Sequence, residues 1–378
     1  MAARFWLYAH EFSESGAPLV LETIAAELQA AGLGPQLRLR GWGGAHDRRH
    51  PSLTRRLRGR GLRLRVLDRD RRPPRPRRGE RLLLNSLALP PPVTAAALGW
   101  CLEGRLPRLD WFAHELHPGA WLDGALRADL RLLLSSGELQ LRVPSRHCLS
   151  HYRAWLEHDG APGLAVQPHR LAEPQLLQGP LPDHRELRLQ LTGQVQQGNK
   201  GQMWLLDLVE AVLARPPAAD PRPLRLQCIG LEEGPAARAV QERGRRLLGE
   251  AFHWEPLLPR AQAQAAMARS NIAVSCSREE TFSLAALEAM ALGQILLRNR
   301  TGGWDEQLLP GVNGFDLGDP GQPVTRGQVD LLAALLDRRY WPDAALGQLA
   351  AAARDHAASF ADHRYATWLL GSGGVSPC

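Results

Sequence analysis

Short apolar runs alternate with stretches of helical period along the whole chain. That is the pattern of parallel β-strands joined by crossover helices, an α/β architecture. In the first half, the runs Phe5 to Ala9, Leu62 to Leu67, Leu82 to Asn85 and Trp111 to Ala113 predict strands. A helix from about Pro18 to Ala31 follows the first strand and stops at Gly32, where a helix C-terminus favours glycine. In the second half, strands are predicted at Leu187 to Leu191, Leu224 to Ile229, Ile272 to Ser275 and Ile295 to Leu297. Helices near Met203 to Leu213, Ala236 to Leu248 and Leu284 to Leu292 fall between them. Each half therefore reads as doubly wound. Pro174, Pro180 and Pro182 break the periodicity between Leu171 and Arg185. The expected division is a first domain over 1–175, a second over 186–350 and a closing helical segment over 351–371, with a helix near His356 to Leu370. The tail from Gly371 to Cys378 reads as loose, and no solenoid repeat is present.

The densest chemistry lies in Ser277-Arg-Glu-Glu-Thr-Phe-Ser-Leu-Ala-Ala-Leu-Glu-Ala-Met-Ala-Leu-Gly293. A polar loop here becomes a helix that is apolar all round, and from Leu284 to Leu292 its only polar side chain is Glu288. A helix with no wet face is buried. A carboxylate inside it needs a partner, because an unpaired buried charge costs several kcal/mol. That partner is a ligand, a hydroxyl pair or a cation. Glu280 sits in the loop before the helix, and the free N–H groups of the helix start favour an anion such as a phosphate. Two carboxylates beside an anion cradle suit a sugar nucleotide.

The spacing Ser-x-x-Glu280-x-Phe282-x-Leu284-x-x-Leu-Glu288-Ala-Met-Ala-x-Gly293 resembles the signature of glycosyltransferase family 4 (group 1). Thr301-Gly-Gly-Trp-Asp-Glu306 and Gly311-Val-Asn-Gly314 continue the resemblance, which spans about forty consecutive residues. It implies the GT-B fold, two Rossmann-like doubly wound domains facing a central cleft, and transfer of a sugar with retention of configuration. The first domain would take the acceptor and the second the nucleotide-sugar donor. The segment after 350 would cross back to the first domain.

The resemblance also implies roles. Glu288 would accept from the two ribose hydroxyls, a task one carboxylate performs well; the other reading is an ion pair with one of the arginines. Glu280 would meet donor-sugar hydroxyls and steady positive charge near the anomeric carbon; otherwise it is a solvated loop acid beside Glu279. Phe282, Ser283 and Leu284 would line the donor site. The family usually has glycine where Thr281 stands and often where Ser283 stands, so the sugar is left unnamed. The loop Gly193-Gln-Val-Gln-Gln-Gly-Asn-Lys200-Gly201 lies between a strand and a helix, where a lysine can meet a diphosphate leaving group. Its other reading is an exposed loop lysine. The family supplies an arginine there too. This loop has Gln194, Gln196 and Gln197 instead, and Arg298 or Arg300 can compensate. Ala9-His10-Glu11 and Ala113-His114-Glu115 both end apolar runs, which places them at a carboxyl sheet edge, where such folds bind ligands. His114 matches a histidine near the reacting sugar. Ser15-Gly16 resembles the small-residue loop of the acceptor side, or is simply a helix start. His10 and His114 can equally be structural.

Composition narrows the rest. A chain of 378 residues suits two domains of roughly 150–200 residues. Hydrophobic content of 44% and charged content of 22% are ordinary for a globular protein. No run approaches the ~20 apolar residues of a membrane span, and Arg4 to Ala9 reads as a strand rather than a signal peptide. The five cysteines are scattered, without zinc-site spacing, and fit a reducing cytoplasm. No Asp-x-Asp pair is set to bridge a metal to a diphosphate, so no metal and no cofactor beyond the donor is expected.

Basic residues exceed acidic ones by 46 to 39, and Lys200 is the only lysine. Fifteen arginines fall between Arg48 and Arg81, with Pro73, Pro74 and Pro76 among them. Leu62 to Val66 can be a strand with one wet face, whereas Arg69 to Arg78 is expected to be an exposed, unpacked loop. It is either a solvated loop or a patch for anionic lipid at the inner face of the membrane or for an anionic acceptor. No aromatic residue interleaves the run, so no nucleic acid partner is expected. The expected partners are a nucleotide-sugar donor and a glycan or lipid-linked acceptor. Other readings are a nucleotide-sugar hydrolase or epimerase, and a non-catalytic GT-B glycan-binding or scaffold protein.

Overall fold

The structure, a computed structural model, describes residues 3–49, 51–195, 199–231 and 234–371. The chain divides into two compact units, one of residues 1–170 with 363–378 and the other of residues 171–362.

Unit 1 is built on a seven-stranded parallel sheet. Its strands are β1 (Phe5–Ala9), β2 (Leu37–Gly41), β3 (Arg63–Val66), β4 (Arg81–Asn85), β5 (Leu109–Phe112), β6 (Leu139–Val143) and β7 (Leu164–Val166), in the order β3-β2-β1-β4-β5-β6-β7. The central strands β1, β4 and β5 are almost continuously buried, as strands covered on both faces must be. The helix after β1 runs Gly16–Leu28 and closes in a wider turn, Gln29–Leu33, with Gly32 at φ +83°.

The crossover from β3 to β4 departs from expectation. Residues 67–80 form neither helix nor strand, yet their backbone is pinned to the sheet. Tyr8 donates its hydroxyl to the Pro74 carbonyl at 3.1 Å, and Trp42 donates its indole N–H to the Arg71 carbonyl at 2.9 Å. Glu80 accepts from the Trp6 indole at 2.8 Å and from the Arg77 backbone at 2.9 Å. The arginine side chains are exposed as expected, but the segment is not an unpacked loop. The buried polar tips of Trp6, Tyr8 and Trp42 need partners, and this strap supplies them.

Unit 2 carries a six-stranded parallel sheet of β8 (Leu187–Thr192), β9 (Leu224–Ile229), β10 (Phe252–Glu255), β11 (Ile272–Ser275), β12 (Ile295–Arg298) and β13 (Gly314–Asp316). Their order, β10-β9-β8-β11-β12-β13, is the 3-2-1-4-5-6 order of a Rossmann fold, with its topological switch between β8 and β11. The helix Leu284–Ala291 exposes no side chain, and its alanines pack with Ala353 and Ala357 of the helix Asp343–Ala358.

The single helix expected at His356 to Leu370 is instead two pieces. The helix Asp343–Ala358 ends where Ser359 turns its hydroxyl onto the His356 carbonyl at 2.7 Å, and a 3₁₀ turn follows over Ser359–Asp362. A separate helix, Tyr365–Leu370, packs within unit 1, where the Ala366 N–H donates to Glu27 at 2.8 Å.

Candidate functional site

The loops that leave β8 and β11 flank the switch point of unit 2. They are tied by Asn199, whose carbonyl accepts from the Arg278 N–H at 2.7 Å and whose side chain accepts from the Glu279 N–H at 2.9 Å. This tie brings Lys200 and Glu280 together, with Lys200 Nζ donating to Glu280 Oε2 at 2.8 Å. Gly193, at φ +152°, lies under the lysine stem, and a Cβ there would stand 3.0 Å from Lys200 Cγ. The Gly193 carbonyl is held by Gln202 at 3.0 Å. Gln196 and Gln197 lie outside the described residues.

Glu280 is nearly enclosed. Burial pushes its carboxyl up, but Lys200, Arg298 and the Thr281 N–H outweigh it, leaving Glu280 below the usual carboxylate range. Arg298, at the end of β12, is fully buried. Its Nη2 donates to the Gly302 carbonyl, while Nε and Nη1 have no partner among the described residues. Burial lowers it to about 10 against the opposing pull of Glu280, Glu306 and Asp305. Gly302 is held in turn by its N–H on the Glu280 carbonyl at 3.1 Å, and a Cβ there would stand 2.2 Å from that oxygen. Arg300, the other arginine considered for the missing position, is exposed and bonded to Asp316 at 2.7 Å.

The residues after Glu280 divide by role. Ser283 caps the helix, its hydroxyl accepting from the Ala286 N–H at 3.2 Å, so that one helix-start donor is already satisfied. The Phe282 ring is buried against Phe360 at 5.6 Å, an anchor of the core. Leu284 is partly buried at the first helical position. Glu288 meets Arg260, whose Nε donates to its Oε1 at 2.9 Å and whose Nη2 also reaches Glu173 at 2.7 Å. The ion-pair reading of Glu288 therefore describes this state of the protein. Only one of its oxygens is engaged, however, and Oε2 has no hydrogen bond among the described residues.

In unit 1 the switch lies between β1 and β4. His10 follows β1, and His114 follows β5 one strand further along. Asn85, at the end of β4, donates its amide to the Ala17 carbonyl at 2.8 Å, which turns its Oδ1 to His114 Nε2 at 3.1 Å. Nε2 therefore carries the proton. His114 stacks on His169 at 5.4 Å, and burial, then His169 and His10, push its pKa well below the ordinary value. It is a neutral imidazole. Glu115 accepts from the Leu87 N–H at 2.7 Å, the His114 N–H at 3.0 Å and the Ser86 hydroxyl, and Ser86 sits at φ +138°. His10 lies 3.8 Å from Glu11. Ser15 stands before the helix that Gly16 begins; its hydroxyl accepts from Ser13 at 2.8 Å and reaches Glu11 at 3.4 Å, and it does not cap the helix.

Of the expected site residues, Gly193, Lys200, Glu280, Phe282, Ser283, Leu284 and Glu288 are in unit 2, and His10, Ser15, Gly16 and His114 are in unit 1. Asn85, Asn199 and Arg260 were not singled out from the sequence. Asn199 precedes the lone lysine and was the one legible signal.

Residues 186–333 match the family described as glycosyl transferases group 1. In sequence, no curated protein matches the chain significantly. The structure is similar to Anabaena HepE in complex with UDP and glucose, with a TM-score of 0.72 at 14% identity, over 98% of this chain and 99% of that one. A glycosyltransferase from Rickettsia africae gives 0.71 at 12% identity, over 95% and 94% of the two chains. Sucrose-phosphate synthase from Thermosynechococcus elongatus gives 0.64 at 14%, over 98% of each. The fold is GT-B. The group 1 match lies within unit 2 and includes Lys200, Glu280 and Glu288, so the candidate donor site of this GT-B chain lies inside the matched segment.

Proposed function

We propose that the protein is a retaining glycosyltransferase that moves a hexosyl group from a nucleotide-sugar donor to a glycan or lipid-linked acceptor in the cytoplasm. The observation that carries the reading is the Lys200–Glu280 pair at the Rossmann switch of a segment that matches group 1 glycosyl transferases. The UDP and UDP-glucose complexes of Anabaena HepE make a UDP-sugar the first donor to try.

In this reading Lys200 turns from Glu280 to the diphosphate and, with the helix N–H groups and no metal, takes up the charge of the leaving group. Glu280 accepts from sugar hydroxyls and steadies positive charge at the anomeric carbon. Glu288 accepts from the ribose hydroxyls through its open Oε2. The anomeric C–O bond to the diphosphate breaks and a C–O bond to the acceptor forms on the same face. The acceptor proton passes to a diphosphate oxygen, leaving a nucleoside diphosphate. Neutral His114, with its Nε2–H given to Asn85, accepts a hydrogen bond from a sugar hydroxyl at Nδ1, and His10 with the Ser15-Gly16 turn serves the acceptor.

One observation favours a second reading. The Arg260–Glu288 pair, together with the glutamines where relatives have an arginine, suits a non-catalytic scaffold. A thermal-shift panel of UDP, GDP, ADP and CMP with their sugar conjugates, on wild type and Glu288→Ala, separates them. A ligand at a hundred times its dissociation constant adds ~2.7 kcal/mol. A shift with one base that is lost in Glu288→Ala supports the transferase; silence across the panel supports the scaffold. Free sugar released from donor alone would instead mark a hydrolase.

A further inference from the structure

Arginine is abundant throughout the chain, but elsewhere it is often paired. Arg56 meets Glu14 and Glu22, Arg243 meets Asp207 and Glu210, and Arg339 meets Asp337. One face of unit 1 breaks that habit. β2 and β3 lie in parallel register with Arg38 opposite Arg63 and Arg40 opposite Arg65. Like charges placed directly opposite destabilise a sheet. Among the described residues no carboxylate lies within ion-pair distance of these four. Burial and the facing arginines, Arg63 for Arg38 and Arg65 for Arg40, push both below the ordinary arginine value.

The register puts Trp6 beside Arg38 and Tyr8 beside Arg40, so this is also the face that the 67–80 strap crosses. The strap adds Arg69, Arg71, Arg72, Arg77 and Arg78, all exposed and, among the described residues, with no carboxylate within ion-pair distance. Asp68 is taken by Arg48, Glu80 by buried donors and Arg4, and Glu103 by Arg75. Asp70 stands exposed among the arginines. The guanidinium of Arg40 rests over the Trp6 ring at 5.0 Å. The result is a charge display on a backbone already fixed, so little ordering is lost when a partner binds.

We propose that this face is a docking surface for an anionic phospholipid bilayer. Guanidinium groups pair with phosphate in a planar, two-pronged geometry. Single-stranded nucleic acid is disfavoured because Trp6, Tyr8 and Trp42 are buried under the strap and offer no face to a base. Neither a donor nor turnover enters this inference, so it stands or falls apart from the proposed activity.

The test is flotation of the full chain with phosphatidylcholine vesicles made with or without phosphatidylglycerol, at low and high salt. Binding is expected only with phosphatidylglycerol and is expected to weaken with salt. The variant Arg63→Gln/Arg65→Gln/Arg71→Gln/Arg72→Gln is expected to bind on the order of several hundredfold more weakly, since each arginine near such a surface contributes about fivefold. A control losing Arg238, Arg245, Arg246 and Arg326, exposed arginines of unit 2, changes net charge equally and is expected to bind like wild type. Arg71→Gln/Arg72→Gln alone touches only the strap and guards against a folding defect. Equal binding to both vesicles, equal loss in the control, or tighter binding to single-stranded RNA than to phosphatidylglycerol vesicles at the same salt would overturn the proposal.

Discussion

Lys200 Nζ and Glu280 Oε2 stand 2.8 Å apart, joining the loop after β8 to the loop after β11 across the switch of the Rossmann sheet. The lysine neutralises the carboxylate, and the carboxylate holds the lysine at the place where a diphosphate would arrive. Removing either partner strands the other. Lys200→Ala is expected to lower kcat by about 10²–10³, the size of effect seen when one preorganised donor to a developing anion is lost. Lys200→Arg keeps the charge and should recover part of it. Steady-state kinetics on both variants decide the matter, and wild-type kcat in Lys200→Ala would remove the lysine from the chemistry.

The same pair sets a pH dependence. Burial raises the Glu280 carboxyl while Lys200 and then Arg298 lower it, and the net shift is downward. A depressed carboxyl is ionised above its ordinary range, and its contribution is lost as pH falls through the lowered value. The acid limb of kcat/KM should therefore lie below the ordinary glutamate value of ~4.3. In Lys200→Ala it should move up. A limb that stays in place would show that Glu280 is not the group being titrated.

Arg298 offers a cleaner separation. Its guanidinium is fully buried, with Nε and Nη1 unbonded among the described residues, so it is costly to keep. Glu280 keeps Lys200 as its partner, so removing the Arg298 charge leaves no carboxylate stranded and relieves a desolvation cost. Arg298→Met is expected to melt no lower than wild type, yet to raise the acid limb set by Glu280. A lower melting temperature with an unmoved limb would give Arg298 a purely structural role.

His184 predicts how unit 2 responds to acid. Both ring nitrogens are buried and unbonded among the described residues, and burial pushes its pKa down to about 4. The unfolded chain then binds a proton at ~6.5 that the folded chain refuses, so stability is lost as pH falls from about 6.5 towards 4. The full difference is about 3 kcal/mol. His184→Gln should flatten the melting temperature of the protein across that range. His114, pushed down in the same direction within unit 1, gives the same sign there.

Much of this architecture was legible in the chain. Strands such as Ile272–Ser275 and Ile295–Arg298 fall where apolar runs placed them, because strands buried on both faces leave a nearly unbroken signal. The helix with Glu288 as its one polar residue is as buried as its composition required. β2 and β6 were missed although Leu37-Arg-Leu-Arg-Gly41 and Leu139-Gln-Leu-Arg-Val143 alternate at period two; the arginines obscured a readable pattern. Arg260 on Glu288 was not legible, since the partners are 28 residues apart and many arginines competed for the role. The strap was not legible either, because what holds it is the buried tips of Trp6, Tyr8 and Trp42 on other elements.

Lysine chemistry gives the most selective test of the site, because Lys200 is the only lysine in 378 residues. An amine-reactive ester can modify only Lys200 and the N-terminal amine. Lys200 is part-buried, and its nitrogen is engaged by Glu280 at 2.8 Å, so an ester must displace that contact to reach it and acylation should be slow. Glu280→Gln removes that hold and should speed labelling several-fold, read by mass spectrometry of the peptide that contains Lys200. If the ammonium does meet a diphosphate, saturating nucleoside diphosphate should protect Lys200 in both proteins while leaving the N-terminal amine reactive. Acylated protein should fail to show a nucleotide-induced thermal shift. Labelling that ignores both Glu280→Gln and nucleotide would mean that the loop lysine is exposed in solution and that its pairing with Glu280 organises nothing at the donor site.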